Sequence, residues 1–196
     1  MLDKLSNQIV LPPVFIQASA VAYYHDDCNE AQDESSTNKG QNDIAQLAQK
    51  LEERAQKLNE QFHFKRFYLA RFGIVLSRDG GFMKKASLIP PFTIIHGNNK
   101  IPFIELHDAV NAIQFLCQHE VPSGPVNLTS PKSATLKEIL ACCYKNSRLP
   151  PIPILTGILR LGDRRSQLLM ANQTIEPTIL LKSGFSFRTP DISKIN

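Results

Sequence analysis

Apolar residues in the first half of the chain follow two different patterns, and together these patterns predict a parallel α/β unit. The runs Val14–Ile16 and Phe67–Leu76 are apolar on both faces, as in strands buried within a parallel sheet. Between them, apolar residues recur at helical spacing, and Asn42 or Asp43 can cap the helix. This predicted packing face consists of Ile44, Leu47, Ala48, Leu51, Ala55, Leu58 and Phe62. Strand, crossover helix and strand form the parallel unit.

Polar residues dominate the segment 25–43, which holds one alanine and no larger aliphatic or aromatic residue. We expect a mobile surface loop that contributes nothing to a core. Its carboxylates and His25 are compatible with a solvated acidic loop or with a cation site, but nothing in their spacing fixes a coordination geometry. The charges at 52–54 on the following helix are interpreted as ordinary solvated charge.

The second half of the chain predicts further short elements and a small α-rich lobe. We expect Asp108 to begin a helix as its N-cap, and Thr135 with Glu138 to form a capping box. We divide the chain into an α/β portion at 1–130 and a lobe at 131–196. The other predicted elements are helical turns at Leu2, Leu5 and Ile9, a helix around Phe82–Leu88, extended pieces at Ile101–Leu106 and Gly124–Leu128, a helix at Thr156–Ala171, and a short helix closed by Gly184.

Composition excludes several classes of protein. With 196 residues, of which 42% are apolar and 20% charged, the chain can bury a sizeable core. It shows no long apolar run and no secretory leader, so we expect a cytoplasmic protein without a membrane partner. The net charge of +4 comes without a basic stripe, which argues against nucleic acid. The four cysteines form no Cys-x-x-Cys pair, so we predict reduced thiols and no metal.

Five segments in a fixed order resemble one family. They are Ala18–Tyr24, Arg71–Leu76 with Gly80 and Gly81, Phe103–Asp108, Gly124–Pro131 and Gly184–Phe185. They resemble the epimerase-family branch of the extended short-chain dehydrogenases/reductases, also described as NAD-dependent epimerase/dehydratase or sugar-nucleotide epimerase proteins. The resemblance implies the C-terminal part of a Rossmann-like parallel sheet followed by the family's small C-terminal domain, with NAD or NADP as cofactor.

Two family features are missing from this sequence. None of the nine glycines forms the glycine-rich turn through which backbone approaches a pyrophosphate. None of the four tyrosines is followed by a lysine four positions later, so the catalytic Tyr-x-x-x-Lys pair of the family is absent. We therefore expect no cofactor to bind the isolated chain.

The resemblance also provides candidate site residues. Ser19 matches the serine that bonds the reacting oxygen in the superfamily, although its hydroxyl can equally bond local backbone. We predict Ser19 and Tyr23 as catalytic, and Tyr24, Asn127 and Glu105 as substrate-binding. For the tyrosines the alternative is packing against the sheet, and for Asn127 it is a turn-stabilising amide.

The resemblance implies an incomplete sheet in which Val14–Ile16 becomes an exposed edge. We expect this edge to pair with a separately encoded N-terminal half, to form a homodimer, or to mark the remnant of a disrupted gene. Two classes of function remain open. One is a truncated or split NAD(P)-dependent enzyme that acts only with a nucleotide-binding chain, and the other is a non-catalytic binding module for a nucleotide-sugar-like molecule.

Overall fold

The computed structural model describes residues 12–26, 30–88, 90–95, 98–145, 147–155 and 171–195. Short strands and five helices alternate along these segments. In chain order they are β1 (Val14–Ala20), a 3-10 turn (Val21–Tyr23), β2 (Ala31–Gln32), α1 (Asp43–Phe62), β3 (Arg66–Phe72), β4 (Ile74–Leu76), α2 (Gly81–Ser87), β5 (Phe92–Ile95), β6 (Lys100–Ile101), β7 (Phe103–Glu105), α3 (Leu106–Gln118), β8 (Gly124–Leu128), β9 (Ala134–Thr135), α4 (Leu136–Cys143), β10 (Ile152–Leu155), β11 (Thr174–Ile175), α5 (Thr178–Lys182) and a 3-10 turn (Ile192–Lys194).

A three-stranded parallel sheet in the order β1-β3-β8 forms the centre of the fold. Alternate residues of β3 face opposite layers, because strand side chains alternate. Phe67 and Leu69 pack with Ala55 of α1, whereas Tyr68 and Ala70 pack with α3 and α5. The sheet therefore lies between helices on both faces, and the predicted parallel α/β fold is confirmed.

The segment predicted as one strand, Phe67–Leu76, is two strands in different sheets. At Gly73 the backbone stops pairing with β8 and begins to pair with β7. The Gly73 N–H donates to the Leu128 carbonyl at 3.1 Å, and the N–H of the next residue, Ile74, donates to the Pro102 carbonyl at 2.9 Å. A Cβ at Gly73 would lie 2.9 Å from the Pro102 oxygen. This close backbone approach explains why glycine separates two otherwise continuous apolar runs.

A second hydrophobic core contains residues from both parts of the chain, before and after residue 130. Leu76 and Phe103 are fully buried there against Leu136 and Leu140 of α4, and Ile195 at the other end of the chain is buried among them. The capping box of Thr135 and Glu138 is confirmed. The boundary that separates 1–130 from 131–196 stays a prediction.

Helix α1 packs on the sheet through small residues rather than through its leucines. Asn42 caps it by accepting a hydrogen bond from the Ala45 N–H at 2.9 Å. Ala45, Ala48 and Ala55 are buried, but Leu47 is 57% exposed and Leu51 is 36% exposed, so the predicted packing face is wrong for these leucines. The alanines allow the helix to approach the sheet closely, which turns the larger side chains outward.

Two polar assignments also differ from expectation. The segment 25–43 contains β2, which pairs with β11, and Gln32 is buried, so it is not merely a surface loop. Helix α3 begins at Leu106 with Glu105 as its N-cap, and Asp108 instead accepts from the backbone N–H groups of Arg188 and Thr189 at 2.9 and 2.8 Å. The N-cap assignment of Asp108 is therefore wrong.

The predicted turns at Leu2 to Ile9 lie outside the described residues, as does the predicted helix at Thr156–Ala171 except for its last residue. Within the described segments, no helix combines the length and apolarity needed to span a membrane. The same segments contain no group of three or more His, Cys, Asp or Glu side chains arranged to hold a metal ion.

Candidate functional site

The carboxyl ends of the three central strands bring Ser19, Arg71 and Asn127 into one row. Ser19 of β1 lies opposite Arg71 of β3, and Arg71 lies opposite Asn127 of β8. All three strands run in the same direction, so the residues after them meet at one edge of the sheet. In open α/β sheets, ligands bind at the carboxyl ends of the strands.

A buried ion pair lies at the middle of this row. Glu52 of α1 receives two hydrogen bonds from the Arg71 guanidinium, at 2.8 and 2.7 Å, and one from the Ser19 hydroxyl at 2.7 Å. Both charged side chains are almost completely buried. Burial disfavours the charge on Arg71, but the hydrogen bonds and negative charge of Glu52 outweigh it and raise the pKa of Arg71 above its ordinary value.

Two tyrosine rings enclose the guanidinium of Arg71. The Arg71 Cζ lies 3.6 Å from the centroid of the Tyr23 ring and 4.8 Å from that of Tyr24. The two rings meet edge to face, with centroids 5.6 Å apart. The rings thus provide a face of negative potential to a cation that is already desolvated.

The Tyr24 hydroxyl is held by a second polar network. It donates to Asn127 Oδ1 at 2.8 Å, while the Asn127 amide nitrogen donates to the Glu176 carbonyl at 3.0 Å. The Asn127 backbone N–H donates to Glu34 at 3.0 Å. Burial raises the pKa of Tyr24 to about 12 and also raises the pKa of Glu34. The phenol is therefore a poor source of phenolate near neutral pH.

Four of the five predicted site residues come together here. Ser19, Tyr23, Tyr24 and Asn127 surround the ion pair, but Tyr24 and Asn127 are completely buried and bonded to each other. Glu105 lies elsewhere, in a cleft of about 210 Å³, where its carboxylate accepts hydrogen bonds from the backbone and ring nitrogens of His107. The catalytic and substrate-binding roles stay predictions.

Two surface pockets adjoin the row formed by Ser19, Arg71 and Asn127. An apolar cleft of about 290 Å³ lies beyond the ends of β1 and β3, and Asp26 is the one ionisable side chain among its described lining residues. These are Ala20, Val21, Ala22, Asp26, Asn42, Ile44, Phe72, Gly73, Ile74, Ile101, Pro102, Ala171 and Gln173. On the other side, a groove of about 600 Å³ exposes Tyr23, Lys39 and Gln56 beside the ion pair.

Sequence reasoning missed Glu52 and Arg71, which organise the site. Glu52 was interpreted as solvated charge, yet it follows Ala45 and Ala48 at helical spacing and precedes Ala55 by three residues. An acidic residue on a face of alanines and an arginine inside an apolar strand are each costly to bury alone. Their joint occurrence was the available signal for a buried pair.

Replacing Tyr24 with phenylalanine tests the hydroxyl network. We expect the free energy of unfolding to fall by about 1–2 kcal/mol, because the buried Asn127 oxygen loses its donor. Urea denaturation followed by circular dichroism measures the change. The matched control Tyr23→Phe should change stability by less than about 0.5 kcal/mol.

The pH dependence gives the same variant a second readout. A phenol whose pKa rises from 10.0 to about 12 on folding adds stability that is complete below pH 10 and is lost as the pH approaches 12. The wild-type chain should lose more stability over this interval than Tyr24→Phe. Equal losses would contradict the buried, neutral phenol.

Known proteins with similar sequences are named epimerase family proteins. An epimerase family protein of Mycobacterium leprae is 32% identical over 180 residues, which cover 88% of this chain and 58% of the relative. The epimerase family protein YfhF of Bacillus subtilis is 27% identical over 197 residues, covering 96% of this chain and 63% of the relative. The chain thus spans roughly three fifths of these relatives, and no family model matches it.

Solved structures agree on the fold. The human epimerase family protein SDR39U1 (isoform 2), crystallised with NADPH, superposes with a TM-score of 0.81 at 23% identity, covering 98% of this chain and 66% of that one. The UDP-glucose 4-epimerase of Thermus thermophilus, solved with NAD, has a TM-score of 0.69 at 13% identity, covering 90% and 60%. The ordered segments, the relatives and the fold agree: over nearly all of its length this chain is similar to proteins of the epimerase family.

Proposed function

We propose that the chain is the substrate-side portion of an NAD(P)-dependent epimerase/dehydratase-family protein, and that it has no redox activity without a nucleotide-binding unit. The observation that carries this proposal is the apolar cleft at the carboxyl ends of β1 and β3. Such a cleft is where a parallel α/β sheet binds its ligand. The described residues that line it, however, include no serine, tyrosine or lysine that could transfer a proton.

Proton transfer needs a titratable group within reach of the ligand. The Ser19 hydroxyl is bonded to Glu52, and the Tyr24 hydroxyl is buried and bonded to Asn127. Helix α1, which flanks the cleft, contributes Ile44 to its lining. Asp26 accepts a hydrogen bond from the Asn42 amide at 3.2 Å, so the one acidic group among the described lining residues already has a partner.

The described residues do not suffice to hold a dinucleotide. Small side chains such as Ala20 and Ala22 leave room for a flat ring in the cleft. A pyrophosphate, however, needs several backbone N–H groups converging in a glycine-rich turn at a helix N-terminus. Among the described glycines, none lies in such a turn after a strand of the central sheet.

A non-catalytic binding module is the second candidate, and the intact cleft favours it. The cleft is lined by this chain's own residues, so a small molecule can bind there without contacts from a partner. A nucleotide sugar is the ligand class that the family resemblance suggests. Calorimetry with UDP-glucose distinguishes the candidates, since binding without NAD(P)H would favour the module.

Titration with NADH and NADPH tests the main proposal. We expect the isolated chain to release no measurable heat of binding in isothermal calorimetry, because the pyrophosphate has no backbone site. A dissociation constant in the micromolar range for either cofactor would overturn the argument from the missing turn. A cytoplasmic location is also part of the proposal, and fractionation of the native cell tests it.

A further inference from the structure

The short parallel strands β4 and β7 end together at a further cleft, the one of about 210 Å³ that contains Glu105. Residues 77–79 follow β4 there, and α3 begins directly after β7. In open α/β sheets, ligands bind at the carboxyl ends of parallel strands. We call this depression the basic cleft. Its ionisable lining residues in the described ranges are Arg78, Asp79, Glu105, His107, Arg188 and Lys194.

The basic cleft is distinct from the apolar cleft of the proposed function. Ile74 at the start of β4 lines the apolar cleft, whereas Leu76 at the end of β4 lines the basic cleft. In the same way, Pro102 just before β7 lines the apolar cleft, and Glu105 at the end of β7 lines the basic cleft. The two clefts share no described lining residue and lie at opposite ends of this strand pair.

Three positively charged side chains reach the basic cleft from three parts of the chain. Arg78 follows β4, Arg188 follows α5, and Lys194 belongs to the C-terminal 3-10 turn. The backbone holds two of them in place, because the Arg188 N–H donates to the buried Asp108 and Ile195 is buried in the second core beside Lys194. Like charges held around one cleft repel each other, and an anion between them relieves the repulsion.

The protein itself provides these cations with little compensation. None of the three forms an ion pair with another residue that the structure describes. The Nε of Arg78 is enclosed by protein and has no hydrogen-bond acceptor among the described residues. A buried N–H group without an acceptor is uncommon in folded proteins. The positive charge of the cleft is therefore not consumed by internal contacts.

The carboxylates near the cleft have other partners or are solvated. Glu105 accepts hydrogen bonds from the backbone N–H and the ring of His107 at 2.8 and 3.0 Å, and it lies at the positive end of α3. Asp191, at the start of the 3-10 turn, accepts from the Ser193 N–H at 2.9 Å. Asp79 is exposed to solvent. Three cations thus face two lining carboxylates, of which one is already bonded at a helix terminus.

We propose that the basic cleft binds the terminal phosphate of a small molecule. Arg78 and Arg188 provide guanidinium groups, whose paired N–H donors match phosphate oxygens, and Lys194 adds a point charge. The buried side chains of Leu76 and Ile195 lie in the same lining and provide apolar surface for the carbon part of the ligand.

The size of the basic cleft restricts the ligand further. Its volume of about 210 Å³ is below the range of about 300–1,000 Å³ that is usual for drug-sized ligands. A phosphomonoester with a short carbon skeleton therefore fits, whereas a dinucleotide does not. The inference goes beyond the proposed function, because it concerns a different cleft and requires no nucleotide-binding unit.

Calorimetry with inorganic phosphate and glycerol 3-phosphate at low ionic strength tests the site. We expect saturable one-to-one binding of glycerol 3-phosphate to the full chain, with a dissociation constant of about 1 mM or lower. Arg188→Gln combined with Lys194→Gln should weaken it at least about tenfold, because two charge-assisted contacts are lost. Both side chains are exposed, so the variant should fold.

The matched control removes two exposed charges elsewhere. Lys50→Gln combined with Arg54→Gln, on α1, changes the net charge by the same amount and should alter the affinity by less than about twofold. Asp79→Asn removes an acid from the lining and should strengthen binding. Equal losses in both double variants would reveal diffuse attraction to a basic chain and overturn the inference, as would the absence of saturable binding.

Thermal unfolding provides an independent readout. A ligand that binds only the folded chain raises its unfolding temperature. We expect glycerol 3-phosphate to raise this temperature for the wild type and for Lys50→Gln/Arg54→Gln, but not for Arg188→Gln/Lys194→Gln. Citrate tests the chemical class, since it carries carboxylates in place of phosphate. Tighter binding of citrate than of glycerol 3-phosphate would overturn the assignment to phosphate.

Discussion

Arg71→Met is expected to lower the free energy of unfolding by about 3–5 kcal/mol, the usual cost of leaving one charge of a buried pair without its partner. The variant removes both hydrogen bonds from the guanidinium to Glu52 and leaves this carboxylate with the Ser19 hydroxyl. It also removes the cation 3.6 Å from the Tyr23 ring. Urea denaturation monitored by circular dichroism measures the loss.

A double variant shows how much of this loss comes from the unpaired charge. Glu52→Leu with Arg71→Met replaces both partners by apolar side chains, and such replacements are often neutral. We expect the double variant to be more stable than either single variant. A single variant that costs less than about 1 kcal/mol would contradict a desolvated pair, because exposed pairs contribute that little.

Asp108→Ala is expected to cost about 2–4 kcal/mol, since hydrogen bonds to a buried charge contribute about 1.5–3 kcal/mol each. The carboxylate is fully buried and accepts from the backbone of Arg188 and Thr189. Hydrogen exchange should show faster exchange of these two amides, and urea denaturation should give the energy. Asp79→Ala, at an exposed carboxylate, serves as the control and should change stability by less than about 0.5 kcal/mol. Equal effects of the two variants would contradict the buried role.

Local sequence patterns predicted the central fold, because each pattern involves residues that are close together in the sequence. The two-faced apolar run at Val14 and the capping box of Thr135 with Glu138 depend on neighbouring residues alone. The break at Gly73 depends instead on Pro102, which is distant in sequence but touches the glycine backbone. No local periodicity contains that contact, so the single predicted strand was wrong.

The candidate site was only partly predictable for a similar reason. Family resemblance identified Ser19 and Asn127, which the register then placed in one row with Arg71. Glu52 and Asp108 were interpreted as a surface charge and a cap, because burial of a charge is decided by its partner. Those partners lie 19 and about 80 residues away.

Leu47 and Leu51 illustrate a limit of amphipathic analysis. Their spacing correctly indicates a helix with an apolar flank, but it does not say which neighbour the flank meets. The smaller alanines of α1 occupy the contact with the sheet, and the leucines are exposed. Periodicity therefore predicts the existence of an apolar face and leaves its partner to the tertiary structure.

The attachment of the C-terminal segment to Asp108 constrains how this protein is made. Phe185 belongs to the core around the central sheet, Ile195 belongs to the second core, and the backbone at Arg188 and Thr189 satisfies the buried carboxylate. While residues 185–195 are still inside the ribosome, the nascent chain has both cores unfinished and the Asp108 carboxylate lacks its donors. The two cores can therefore be completed only after these residues have emerged, and a premature stop before residue 185 would be as damaging as the loss of a central strand.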